Sequence, residues 1–247
     1  MTNFPQARIT ANEIRNGILS GFAPNILAEL AFYMERVKLE RHQILYQPGE
    51  ATRRVHFIQS GMIIFTKMMR DGRGTMIGFG GVEGMTIPNV LNGLVRTDVE
   101  CAVHVGGAAL AIDSVILQRV SSRVPDLAAA LKRYALFMDE QVAQISGCNR
   151  LHALEQRCAR LLLSIHDNAN AAAFALTQES IAAILGAQRP HVSAVAAHLQ
   201  DLKLIQYKHG QISVTDYSGL RNLSCECYEF ISGQMKAMLR FPNRSPL

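Results

Sequence analysis

The residues best suited to chemistry lie between positions 177 and 216. Arg189 opens a segment whose apolar positions Val192, Val195, Leu199 and Leu202 step by three, four and three. That spacing predicts a helix with one buried row. Its outward face then carries Arg189, His191, Ser193, Ala194 and Ala197. An arginine at the start of an exposed helix can donate two hydrogen bonds to guanine O6 and N7, worth roughly 1–3 kcal/mol of base discrimination. Pro190 suits a first helical turn, where the missing N–H has no helical partner. Upstream, Thr177 is a good N-cap, with Glu179 in the first turn and Ile181, Ile184 and Leu185 on an apolar face. Gly186 permits a tight turn, and Gln188 can cap the second helix. Two short helices joined this way predict a helix-turn-helix, whose second helix enters the major groove of double-stranded DNA.

The segment that follows, Ile205 to Val214, reads as two short strands around a Gly turn. It forms a wing that brings Lys208 toward phosphate. A helix pair of this spacing also occurs as plain core packing, but the Gly turn, the leading arginine and the hairpin together point to DNA. The charge sets a condition. Across 177–216, Arg189, Lys203 and Lys208 are balanced by Glu179, Asp201 and Asp216, so 3 − 3 = 0. Nonspecific affinity comes mainly from phosphate neutralisation. Weak nonspecific binding is therefore expected, with reliance on a dimer and on Thr177, Gln178 and His191 as neutral phosphate donors.

Other chemistry finds less support. The five cysteines, Cys101, Cys148, Cys158, Cys225 and Cys227, are odd in number and suit a reduced, cytoplasmic chain. Cys225-x-Cys227 with Cys148 forms a redox or metal site only as the alternative to small buried hydrophobes, so no metal and no cofactor are expected. His42, His56 and His104 contain no His-x-His pair with a carboxylate, which leaves structural roles rather than a jelly-roll metalloenzyme. No Walker loop, nucleophile elbow or zinc-protease helix is present, so the chain is not expected to be an enzyme.

The elements that must carry this head can be read from the punctuation of the chain. Residues 1–35 look helical, with Ile26, Leu27, Leu30, Ala31 and Met34 at helical spacing after Pro24. From Val37 short apolar runs alternate with turn residues. Glycines crowd between 49 and 107, and Asp71-Gly72 is a hairpin signal. Many short strands with Gly turns predict a β barrel or jelly roll. From Pro125 to about Ser146, Leu127, Leu131, Tyr134, Met138, Val142 and Ile145 form a heptad-like row. It suits either packing on the barrel or a dimer seam. Cys148-Asn149-Arg150 reads as a hinge, and Leu151 to Asp167 as another helix with Leu154, Cys158, Leu161, Leu162 and Ile165 on one face.

Composition closes off other classes. With 49% hydrophobic and 18% charged residues, 247 residues can bury a core rather than stay disordered. No apolar run approaches the ~18–20 residues that span a bilayer, and the N-terminus lacks a signal-peptide core, so neither membrane association nor secretion is expected. The net charge of 25 − 20 = +5 is compatible with a nucleic-acid partner.

β roll, long helix and winged helix in that order resemble the Crp/Fnr superfamily of bacterial transcription regulators. The matching residues are Pro48-Gly49-Glu50, Val55 to Gly61, Asp71-Gly72, Gly84, and Leu176 through Ile181 on to Leu204-Ile205. Glu83-Gly84-Met85, Cys148 to His152 and Cys225 to Tyr228 resemble one branch of it. The resemblance implies an α+β fold: a cyclic-nucleotide-binding-like β roll within 1–124, a dimerisation helix over 125–147, a winged helix-turn-helix over 148–219, and a C-terminal helix and tail over 220–247. It implies a homodimer on a two-fold symmetric site, with RNA polymerase as a further partner. It gives Arg189 the base-reading role and Gln188 and His191 phosphate contacts. Pro190 and Ala194 stand where many members have a base-reading glutamate and a second arginine, so the half-site departs from the usual consensus. Arg96-Thr97 matches the pair that holds a cyclic phosphate in nucleotide-binding members. But Met85 follows Gly84 where those members have glutamate, and Asp98 and Glu100 oppose an anion. Gating by cyclic AMP is therefore not expected, and a cyclic-nucleotide-gated regulator is the alternative. Fnr-like members place clustered cysteines near the N-terminus; this chain has none before Cys101.

Overall fold

The computed structural model of the chain describes residues 9–10, 13–93, 97–169 and 173–239. Of the helix expected over the first 35 residues, the structure forms α1 (Pro24–Tyr33), preceded by turns that Asn16 organises. The Asn16 Nδ2 reaches the carbonyls of Ile58, Val82 and Gly84 at 2.8–3.0 Å, so an amide side chain replaces missing strand pairing.

The roll consists of β1 (Glu35–Leu39), β2 (Ile44–Tyr46), β3 (Arg54–Met68), β4 (Gly74–Gly80) and β5 (Val99–Asp113), all antiparallel. The sheet runs β1-β5-β3-β4, with β2 on the remaining stretch of β5. Its two long strands pair Phe57 with Leu110 and Ile63 with Val103, with register shifts between Ile58 and Ile63. Such bulges bend a ladder and let a flat sheet curl. At the bend a Cβ on Gly107 would lie 2.1 Å from the Ser60 carbonyl oxygen, so only glycine allows the two backbones to meet. Val55, Phe57, Met62, Phe65, Val103 and Leu110 fill the interior. The expected Asp71-Gly72 turn joins β3 to β4, with Gly72 at φ +82°.

Asp113 caps α2 (Ser114–Ser121) by accepting from the N–H groups of Val115 and Ile116. Then comes α3 (Pro125–Leu151), 27 residues long. Its heptad-like row faces inward: Leu127, Leu131, Tyr134, Met138 and Ile145 are buried and Val142 half-buried. The Tyr134 hydroxyl donates to the Met85 carbonyl at 3.1 Å, and the Gln141 Oε1 accepts from the Phe79 N–H at 2.7 Å. Packing on the roll is thus the use of that row. The opposite face, with Ala129, Lys132, Leu136, Asp139 and Ala143, is exposed, Leu136 to 60%.

The hinge expected at Cys148-Asn149-Arg150 is helical. Burial of Cys148 against the C-terminal helices holds that turn in α3, and its carbonyl accepts from the His152 N–H. The break falls at His152 and Ala153, and α4 (Leu154–Ala169) follows. The C-terminal part is built on α4. It contains β6 (Ala173–Ala175), α5 (Gln178–Leu185), α6 (Arg189–Asp201), β7 (Ile205–Lys208), β8 (Gln211–Val214), α7 (Tyr217–Leu223) and α8 (Cys227–Met238). The small sheet runs β6-β8-β7. Among the described residues no helix is long and apolar enough to cross a membrane.

Candidate nucleic-acid interface

The Thr177 Oγ1 accepts from the Ser180 N–H at 3.0 Å and caps α5. Gly186 ends that helix at φ +59°, ψ 39°, a left-handed conformation that costs a side chain energy and glycine nothing. Gln188 stands at the N-cap of α6, but its side chain makes no capping bond, contrary to the sequence expectation. Pro190 occupies the first turn. Val192, Ala196 and Leu199 form the buried row of α6 and Val195 is half-buried. Leu202 lies past the helix end and is 47% exposed, because the chain turns there toward β7.

This packing turns Gln188, Arg189, Pro190, His191, Ala194 and Ala197 outward into solvent. The Arg189 guanidinium has no hydrogen-bond or ion-pair partner among the described residues. Ser193 differs: it is half-buried, and its hydroxyl donates to the Gln178 Oε1 at 2.5 Å. The Gln178 N–H donates to the Tyr207 hydroxyl at 3.1 Å. Gln178 and Ser193 thereby brace α5 against α6 and the wing. Lys208 is exposed at the end of β7, where His209 and Gly210 turn the hairpin with φ of 52° and 75°. The Arg157 Nη1 donates to the Leu185 carbonyl at 3.2 Å, and the His198 Nε2 stands 3.3 Å from the Glu155 Oε1, so α4 carries both helices.

In the roll, Arg96 lies outside the described residues. The Thr97 Oγ1 accepts from the Val99 N–H at 3.2 Å, so local backbone uses its lone pair. Thr97 borders a cavity of about 300 Å³ together with Tyr46, Thr52, Ile87, Asn89 and Asp98. Asp98 is among the described residues that line it, and an acidic lining residue disfavours an anionic ligand. Burial pushes the imidazoles of His56 and His104 down to about 4, so both are neutral near pH 7.

A second constellation was only partly legible. Cys148, His152, Cys225 and Cys227 converge where α3, α4 and α8 meet. A hydrogen bond with the Cys225 thiol, helped by the Arg160 charge, holds the Cys148 thiol well below its ordinary value, whereas burial pushes Cys227 up. His152 was the residue missed. Its spacing from Cys148, Cys-x-x-x-His, was the available signal.

Residues 156–223 match the model of the Crp-like helix-turn-helix domain. Over about four fifths of its length the chain is similar in fold to solved regulators. FixK2 from Bradyrhizobium japonicum is 16% identical, with a TM-score of 0.65 over 78% of this chain and 98% of that one. A crp/fnr-family transcriptional regulator from Eubacterium rectale is 15% identical, with a TM-score of 0.65 over 83% and 96%. TTHB099 from Thermus thermophilus, a regulator of the CRP family, is 19% identical, with a TM-score of 0.62 over 77% and 96%. No curated protein matches the chain in sequence.

Proposed function

We propose that the chain, a DNA-binding transcription regulator of the Crp/Fnr type, acts as a homodimer that reads a two-fold symmetric duplex with α6 and is not an enzyme. The observation that carries this reading is the first turn of α6: Arg189 stands in solvent with its guanidinium unpaired among the described residues, beside exposed His191 and Ala194. Arg189 reads a guanine, Gln188 and His191 position the helix on phosphate, and Lys208 follows the backbone from the wing. Thr177 and Gln178 act mainly through the shape of the helix pair, since their polar groups are committed within it. The dimer seam is the exposed row of α3, where Lys132 and Asp139 flank Leu136 and small Ala129 and Ala143 admit close approach. Such a regulator works where the DNA is, in the cytoplasm, and RNA polymerase is the protein it meets there.

Cyclic AMP is not the effector in this reading, because acidic Asp98 lines the cavity beside Thr97 and Met85 follows Gly84. Calorimetry should show no micromolar binding of cyclic AMP that Arg96→Ala abolishes. The function itself is tested by selection of duplexes from a random pool with the purified full chain. The expected product has two half-sites about one helical turn, 10–10.5 base pairs, apart, and a purified dimer selects it. A strictly monomeric chain that enriches no sequence overturns the reading.

A further inference from the structure

Residues 77 positions apart meet at the end of α3: the Sγ atoms of Cys148 and Cys225 are 3.5 Å apart. The Cys227 Sγ lies 3.5 Å from the Nδ1 of His152, and all four ligand atoms fall within 4.8 Å of one another. A tetrahedral ion with metal–sulfur bonds of ~2.3 Å has sulfur–sulfur edges of about 3.8 Å. The side chains therefore stand close to that geometry before any ion is added. An iron–sulfur cluster, which spreads its thiolates around two or four irons, needs ligands farther apart. The three thiols are buried, and His152, with 19% of its side chain exposed, forms the rim.

Two neighbours independently favour an ion. The Nε2 of His152 lies 3.2 Å from the Glu226 Oε1, which leaves Nδ1 facing the thiols. A carboxylate on the far nitrogen is the usual orienting partner of a metal-bound imidazole. The second neighbour is Arg160. It is fully buried, and its Nε, Nη1 and Nη2 have no hydrogen-bond partner among the described residues. A buried guanidinium without a counter-charge is a costly arrangement. Its positive charge bears on Cys148. A divalent ion with three thiolates and a neutral imidazole carries 2 − 3 = −1, which Arg160 brings to zero.

We propose that Cys148, His152, Cys225 and Cys227 bind one divalent transition-metal ion, zinc by the softness of the donors, in a closed tetrahedral site. On binding, the ion loses its waters and each thiol still protonated gives its proton to solvent; no electron is transferred. Four protein ligands leave no open position, so the ion's work is structural. It pins the head of α8 to the break between α3 and α4 and so fixes the bearing of the winged helix on the long helix. That last consequence for DNA rests on the reading given above; the ion site does not.

The full chain, stripped by chelator under reductant and titrated with Co²⁺, tests the site. One ion per chain is expected, with the visible bands of tetrahedral cobalt and thiolate-to-cobalt charge transfer, both bleached by Zn²⁺. Cys148→Ser and Cys225→Ser should weaken the charge-transfer bands and bind cobalt at least tenfold less tightly, whereas Cys101→Ala, in β5, keeps both. Because a ligand variant can fail to fold, the wild-type titration decides alone. No tetrahedral spectrum from the reduced wild-type chain overturns the site, as does a Cys148–Cys225 disulfide that persists under reductant in place of metal. The same samples are then offered the selected duplex. Metal binding with unchanged DNA affinity removes the regulatory consequence and leaves the site. DNA binding by a chain that takes no metal removes the site and leaves the regulator.

Discussion

The hydroxyl of Thr75, in β4 of the roll, donates to the carbonyl of Ile184 in α5 at 3.2 Å, across 109 residues of sequence. This bond latches the β3–β4 hairpin onto the first helix of the helix-turn-helix. Gly186 stands beside the same threonine, so a side chain there would crowd the latch. Thr75→Val keeps the shape and removes the donor. A net hydrogen bond contributes about 0.5–1.5 kcal/mol, so the chain should be cut roughly 2- to 10-fold faster at the break near His152 in limited proteolysis, while Thr75→Ser stays near wild type. Equal cleavage rates for all three would show that the latch holds nothing.

Arg189→Ala should remove discrimination rather than binding. The preference for the selected duplex over a scrambled one should fall by roughly 1–3 kcal/mol, that is about 5- to 150-fold. Competition binding at fixed salt measures it. An unchanged ratio would strip Arg189 of its base-reading role.

Lys208→Ala should act differently. A lost phosphate contact weakens all sequences alike and lowers the slope of log affinity against log salt by about 1. A salt titration on selected and scrambled duplexes checks both effects. A sequence-dependent loss would move Lys208 from the backbone to a base.

His104 sets a pH dependence. Burial, reinforced by the Arg41 and His42 charges, pushes its imidazole down to about 4 in the fold, against an ordinary value of 6.5. Between those values the unfolded chain takes up a proton that the fold refuses. Stability is therefore fully present above pH 6.5, falls as pH drops toward 4, and levels below it. The amount is on the order of 3 kcal/mol. Urea denaturation at pH 7 and pH 4.5 should show a smaller acid loss for His104→Gln than for wild type. Parallel losses would assign the acid sensitivity elsewhere.

Much of this molecule was legible because local residues dictate local shape. Thr177, Gly186 and Pro190 each mark one point of the helix pair by capping, left-handed backbone and a tolerated missing donor, and the structure places all three at those points. The facing of α3 was not legible, since an apolar row suits a roll and a partner helix equally. The position of its end was hidden too, because what keeps Cys148 helical is packing against residues beyond 220. Nothing in the sequence marks Arg160 as buried, and only the folded chain shows it enclosed. His152 needed the same closure before its neighbours could be known.

Only His152 and Ala153 separate two rods of 27 and 16 residues. Four backbone torsions thus carry the steering between them. The second rod is about 24 Å long at 1.5 Å per residue. A swing of about 10° at the break moves its far end by about 4 Å, more than the ~3.4 Å rise of one base pair. Slippage by a whole base step is within reach of a rearrangement no larger than a dipeptide.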